Sequence, residues 1–362
     1  MDIIWIDPEA GAEEHILVGD AGGTNTSFAL AGRSGRRHFL LGKFLFRTRD
    51  LGSLGEAAAG ALGEILRLRP SLRIRRCCIS AAGPVKDNVC RLTNAPWVAD
   101  GGELSRRLGI PTRIINDFTA IAYGLPLLDP ADPRALTPIP REDGHLPSPS
   151  GTVRAVIGAG TGLGVGCLVE TGGGFLAIPS EGGHIDFSGF DRESRELVRE
   201  LEDRIGGVAE AELLVSGLGL LNIRDMVRRR RGGPVSPAMR EIDGVGDDEK
   251  PALISAWADR DPECAEIMRL FTRFYGRVAA NIATVFLPTA GLYLAGGIAA
   301  KNRDWFLRPG GFMEAFSLGY RRIIRDILRE IPVYIVRDYS ISLLGAAHAD
   351  TVLPRDDEGG TP

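Results

Sequence analysis

Ile16-Leu17-Val18-Gly19-Asp20-Ala21-Gly22-Gly23-Thr24-Asn25, followed by Ser27-Phe28-Ala29-Leu30, is the stretch from which the fold can be read. An apolar run leads into a carboxylate and a glycine pair, and a second apolar run returns. That pattern predicts a β-hairpin closed by a glycine turn. Gly22 and Gly23 would let backbone N–H groups approach an anion closely and would permit positive φ. Thr24 and Asn25 would add side-chain donors. Asp20, at the strand end, could hold Mg²⁺ through water, because that ion keeps several waters and takes one or two carboxylates. Taken alone, the same residues also fit a plain hairpin turn bearing an aspartate.

Working outward, His38 to Phe46 reads as a third strand and Leu51 to Leu68 as a helix that Pro70 ends. Ile74 to Ser80 and Ile114-Ile115 read as further strands, with a helix over about 119–127. Residues 129–151 are rich in proline and charge, and are expected to form a surface loop. A second group of strands follows at Val153–Ile157, Leu163–Val169 and Phe175–Ile178. Helical patterns come next at about 192–204, 217–230, 251–258 and 262–286. Val333–Val336 is expected to be a strand and Ser342–Asp350 a helix. Residues 1–14 read as an accessory extension, the segment near 231–250 as an addition, and 354–362 as a disordered tail. Each half opens with strand, glycine turn, strand, and helices follow. This layout predicts a two-domain α/β protein with a cleft between the halves.

Composition narrows the function classes. The 362 residues are 44% hydrophobic, enough for two cores, since single cores stop growing at about 250–300 residues. Glycine is 47 of 362, about 13% against a usual value of about 7%, and the excess gathers in short turns after strands. A net charge of −4 offers no basic footprint for nucleic acid. No apolar stretch reaches the length of a membrane span, and the first residues lack the pattern of a secretory leader, so the cytoplasm is the expected compartment. Five cysteines without metal-ligand spacing argue against a structural zinc site, and Cys77 and Cys78, adjacent in a strand-like run, read as buried free thiols.

Three further clusters carry chemistry. Asn116-Asp117-Phe118 follows the strand Thr112-Arg113-Ile114-Ile115. A carboxylate delivered there could receive a proton from an acceptor hydroxyl during phosphoryl transfer. Viewed in isolation, Asp117 reads first as a helix cap; the two roles can coexist. Gly158-Ala159-Gly160-Thr161-Gly162-Leu163-Gly164 is not a dinucleotide fingerprint, since its sixth position is Leu163 and a strand, not a helix, follows, and it lacks the Gly-Lys-Ser/Thr of a P-loop. A phosphate turn is the preferred reading over a tight hairpin. Glu181-Gly182-Gly183-His184 places a carboxylate and an imidazole around two glycines, a fork suited to a polyol. Its plainer reading is a polar turn with one satisfied histidine. Arg228 to Arg231 is expected to be a solvated helix end, where the dipole favours cations.

Together with Ser216-Gly217-Leu218-Gly219-Leu220 and Leu294-Ala295-Gly296-Gly297-Ile298, these runs resemble the bacterial glucokinase family of the hexokinase/actin-like ATPase superfamily. The resemblance covers roughly residues 15–350. It implies a two-domain actin-like ATPase (ribonuclease H-like) fold with an active-site cleft between the domains. The smaller domain would comprise 15–117 plus about 338–353, and the larger 118–337. It also implies that Asp117 is the base on the sugar 6-hydroxyl, and that Asn116, Glu181, His184 and Glu212 bind sugar hydroxyls. Asp20, Gly22, Gly23, Thr24 and Asn25 would face phosphate and Mg²⁺. Gly160 and Thr161 would form the second phosphate turn, and Gly296 and Gly297 would lie near adenosine. Related sugar kinases and repressors carry a cysteine-rich zinc motif after their Glu-x-Gly-His run. No cysteine lies between Cys167 and Cys264, which favours the zinc-free branch. The implied partners are glucose and ATP, without nucleic acid or membrane, and a homodimer is the candidate assembly. The alternatives are a kinase for another hexose, or a sugar-sensing regulator on the same fold.

Overall fold

The computed structural model describes residues 1–93 and 97–354, so the expected tail from 355 onward lies outside the described residues. The chain divides into two compact units. One comprises 1–129, 170–178 and the residues from Ser340; the other comprises 130–169 and 179–339. The sequence placed the boundary at 117/118. Helix Asp117–Gly124 instead belongs to the first unit, because it packs on helix Ile341–Val352. Gly345 meets Ala120 O and Gly124 meets Ile341 O, leaving no space for a Cβ at either position.

The sheet of the first unit runs Asp2–Trp5, Arg37–Arg47, Asn25–Ser34, Glu14–Ala21, Cys77–Ala81, Thr112–Asn116. The last three strands are parallel and in register, with Ala21 beside Ala81 and Ala81 beside Asn116. Every residue from Cys77 to Ala81 is buried, the pattern of a strand covered on both faces. Helix Leu54–Leu68 packs on one face and helix Ile341–Val352 on the other. The predicted hairpin forms, pairing Asp20 with Ser27. The first residues are more than an extension: Asp2–Trp5 adds an edge strand, with Trp5 packed edge-on against Phe44. Glu14 already belongs to the hairpin and pairs with Arg33 and Arg76 at 3.1 and 2.6 Å. Helix Gly101–Leu108 and the short strands Val85–Lys86, Val89–Arg91 and Val98–Asp100 went unread, because such short runs carry too little periodicity.

In the second unit the strands Val333–Val336, Leu292–Ala295 and Val153–Ala159 run parallel. Strand Leu163–Thr171 returns antiparallel beside Val153–Ala159. The predicted surface loop 129–151 contains strand Leu136–Pro138 and the buried Arg141, whose guanidinium donates to the carbonyls of Leu328, Arg329 and Ile331. Paying the desolvation of an arginine with backbone acceptors pins that segment. Helix Pro262–Phe286 is the spine of the unit. Asp261 caps it by accepting from Glu263 N and Cys264 N, both at 3.0 Å, and proline occupies its first position. All five cysteines are free and buried, Cys77 and Cys78 as expected. The arginine run ends helix Gly217–Arg231 with Arg229 to Arg231 exposed, as expected; it also forms ion pairs, Arg228 with Asp243 at 2.7 Å and Arg229 with Glu200 at 3.4 Å. Asp243 comes from helix Pro237–Asp243, inside the segment read as an addition.

Candidate active site

The candidate residues fall into two groups, one in each unit. In the first unit, Asn116 ends its strand and Asp117 begins a helix. The cap is Asn116, whose Oδ1 accepts from Thr119 N at 3.1 Å. This corrects the reading of Asp117 as the cap. Asn116 Nδ2 donates to Gly83 O at 3.1 Å and to Asp117 Oδ1 at 2.9 Å. Asp117 Oδ1 also accepts from Phe118 N at 3.0 Å. One carboxylate oxygen is thus fixed by two donors, and Oδ2 has no hydrogen-bond partner among the described residues. Burial, and next the neighbouring carboxylate of Asp20, push the Asp117 carboxyl up to about 6. A carboxyl with that value is half-deprotonated at about pH 6 and mostly deprotonated at neutral pH, as a base must be.

Gly83 explains itself here. Its φ is +151°, and a Cβ would come within 2.7 Å of Arg91 O. The turn that offers its carbonyl to Asn116 therefore requires glycine.

Asp20 accepts from Ser80 Oγ at 2.9 Å on one oxygen and from Ser342 Oγ at 2.8 Å on the other. Burial raises its carboxyl while both hydroxyls oppose the rise. Each oxygen keeps a lone pair for a water, which suits a cation bound through its hydration shell. Among the described residues no cluster of three or more His, Cys, Asp or Glu forms a dedicated metal cage. Gly22 and Gly23 do not use positive φ, contrary to expectation. Gly22 serves close approach instead: its N–H donates to Asn25 O at 3.1 Å, and a Cβ there would sit 3.0 Å from that oxygen. Thr48 braces the turn, its Oγ1 donating to Gly22 O at 2.8 Å. The side chains of Thr24 and Asn25 are exposed.

In the second unit the loop Gly160–Gly162 joins two antiparallel strands. Gly160 N donates to Gly162 O, and Gly217 N, opening helix Gly217–Arg231, donates to Gly160 O, both at 2.8 Å. The helix thus begins against the loop, and Ser216 Oγ caps it by accepting from Gly219 N at 3.0 Å. Glu212 Oε2 accepts from Leu163 N at 2.7 Å and lies where a Gly162 side chain would be. Gly183 packs onto Leu163 O so tightly that no Cβ fits, which seats the Glu181–His184 turn on the same strand. His184 Nδ1 meets Glu210 Oε2 at 2.7 Å. That bond raises the His184 pKa, burial opposes it, and Glu212, Glu210 and Glu181 add to the rise. Glu181, His184 and Glu212 therefore belong to one cluster. Sequence reasoning missed Glu210 as its fourth member, although Glu210 stands only two residues before Glu212.

Gly296 has φ +88°, and a Cβ would lie 2.5 Å from Ala159 O. It follows strand Leu292–Ala295, paired in register with Gly158. Gly160 and Gly296 are thus neighbours at the carboxyl ends of parallel strands, where open α/β sheets place ligands. Gly297 has open space around it. Sequence could have signalled neither Ser80 nor Ser342 as partners of Asp20, since 262 residues separate the two serines along the chain.

Comparison with known proteins adds a second line of observation. A family model described as Glucokinase matches residues 17–352. A glucokinase of Nostoc punctiforme is 36% identical over 286 residues, which cover 75% of this chain and 81% of the relative. A glucokinase of Hahella chejuensis is 34% identical over 341 residues, covering 93% of this chain and 97% of the relative. Among solved structures, a glucokinase from an Antarctic psychrotroph superposes with a TM-score of 0.76 at 28% identity, covering 93% of this chain and 98% of the other.

Proposed function

The chain belongs to the glucokinase family and phosphorylates glucose with ATP, and we propose that Asp117 is the base that takes the proton of the 6-hydroxyl. The observation that carries this reading is the asymmetric carboxylate: Oδ1 is fixed by Asn116 and Phe118 N, and Oδ2 is left for a substrate hydroxyl. Both hydrogens of the Asn116 amide are committed, so Asn116 orients the base and offers the sugar only the second lone pair of Oδ1.

In phosphoryl transfer the protein chiefly positions the reactants and stabilises charge. Asp117 Oδ2 holds the hydroxyl and receives its proton as the oxygen bonds to the γ-phosphorus of ATP, whose bond to the bridging oxygen breaks and releases ADP. In the second unit, the bond from His184 Nδ1 to Glu210 leaves Nε2 for a sugar hydroxyl. Glu181 and the remaining oxygen of Glu212 are acceptors for others. The Gly160–Thr161 turn, with its helix start, and the Gly22–Asn25 turn are the phosphate-facing loops, while Gly296 and Gly297 give flat backbone for adenosine. Asp20 would hold Mg²⁺ through water, and the bound ion would supply neutralisation of phosphate charge. The two units form the two domains of an actin-like ATPase fold, with glucose as first substrate, the cytoplasm as compartment and the first step of glycolysis as role.

A panel of hexoses with ATP tests the substrate. Glucose should give the highest kcat/KM. A different hexose or N-acetylated sugar exceeding it would move the specificity while keeping the chemistry.

A further inference from the structure

A cavity of about 730 Å³ opens in the first unit, and Arg69, Arg73, Arg75, Arg76 and Arg113 line it. It lies at the wrong end of the sheet to serve Asp117. Asp20, Ser80 and Ile115 are in register near the carboxyl ends of the three parallel strands. Glu14, His15, Thr112 and Arg113, which line the cavity, stand at the amino ends. Glu14 and Asp20 are six residues apart on one strand, roughly 20 Å at about 3.3 Å per residue.

Five guanidiniums meet three carboxylates there, Glu13, Glu14 and Asp350. Arg76 is committed to Glu14 at 2.6 Å and to Asp350 at 3.1 Å. Arg73 and Arg75 flank the buried Ile74, are exposed, and have no hydrogen-bond or ion-pair partner among the described residues. His15 also lines the cavity, and its Nε2 is buried without a hydrogen-bond partner. Burial and the Arg69 charge hold its imidazole below the usual range. In a chain of net charge −4, such a concentration of unneutralised cations around one hollow is a local feature, not a consequence of composition.

We propose that this cavity binds a small phosphate-bearing anion, with Arg73 and Arg75 as its principal donors. Guanidinium forks match phosphate oxygens bidentately, and the volume falls within the range of about 300–1,000 Å³ usual for small-molecule sites. It is larger than phosphate alone needs, so a phosphorylated sugar also fits.

The test titrates the full chain with inorganic phosphate and, separately, with glucose 6-phosphate, following the ring signals of His15 by NMR. Both ligands should move those signals, and glucose should not. The double variant Arg73→Ala/Arg75→Ala should weaken the response at least about tenfold, the loss expected for one charge-assisted contact. Its kcat and glucose KM in phosphate-free buffer should stay unchanged. Tighter binding of glucose 6-phosphate identifies a sugar phosphate as occupant, and equal or tighter binding of phosphate identifies the free ion; either supports the site. A still His15 signal, or the same affinity in the double variant, overturns it. The readout is binding at His15, so it stands or falls separately from the assignment of Asp117.

Discussion

Asp117 is a carboxylate with one oxygen tied down and its charge discouraged. Desolvation and the Asp20 carboxylate raise its pKa to about 6, while Asn116 and Phe118 N pull the other way. A base works only when deprotonated, so kcat/KM should fall as pH drops through about 6, with a slope of one proton. Replacing Asp20 by Asn removes the like charge and should move that acid limb downward, whatever it does to the maximum rate. A pH profile of both proteins checks this; a limb that does not move would show that Asp20 does not act on Asp117. The identity of this residue was legible in the sequence as a strand-end carboxylate beside glycine turns. Its freedom was not, because sequence alone could not say which of Asn116 and Asp117 caps the helix. The answer depends on Gly83 O, 33 residues away, which orients the Asn116 amide.

At the scale of elements, the helix that begins with Asp117 is positioned by another helix. Gly345 on Ile341–Val352 rests against Ala120 O and Gly124 N, and Ile341 O rests against Gly124. The same helix carries Ser342 to Asp20. Gly345→Ala should therefore force the two helices apart, costing about 1–3 kcal/mol of stability as overpacking does, and should lower kcat without touching substrate. Denaturant unfolding together with steady-state kinetics checks both. Long elements such as Pro262–Phe286 could be read directly, because a proline start, an aspartate cap and sustained apolar spacing all agree. The grouping of Asp117–Gly124 with the first unit could not, since it rests on two glycines that make a backbone contact visible only in the fold. Glu210 was hidden for a related reason: its partner His184 is 26 residues away, and the close packing of Gly183 on Leu163 O, which leaves no room for a Cβ, brings the turn to it.

For the whole molecule, the raised Asp117 pKa is a stability statement as well as a catalytic one. The folded chain binds that proton more tightly than the unfolded chain, whose aspartates titrate near about 3.9. The favourable contribution is complete below that value and is lost as pH rises through about 6. Asp117→Asn should consequently raise Tm at pH 7 to 8, and the gain should vanish near pH 4; an equal gain at both pH values would remove Asp117 as its source. Activity and stability are thus set against each other at one residue. The central claim is that this residue is the base of an ATP-dependent glucose kinase. Its most direct test is glucose-dependent ADP release, with ATP and Mg²⁺ present, in the wild-type chain and in Asp117→Ala. The account predicts rapid release and glucose 6-phosphate formation in the former. In the latter it predicts a kcat lower by at least about 10²-fold, the lower end for general acid–base groups, with glucose binding still measurable. Near-normal turnover in Asp117→Ala, or no sugar-dependent release from the wild type, would contradict it.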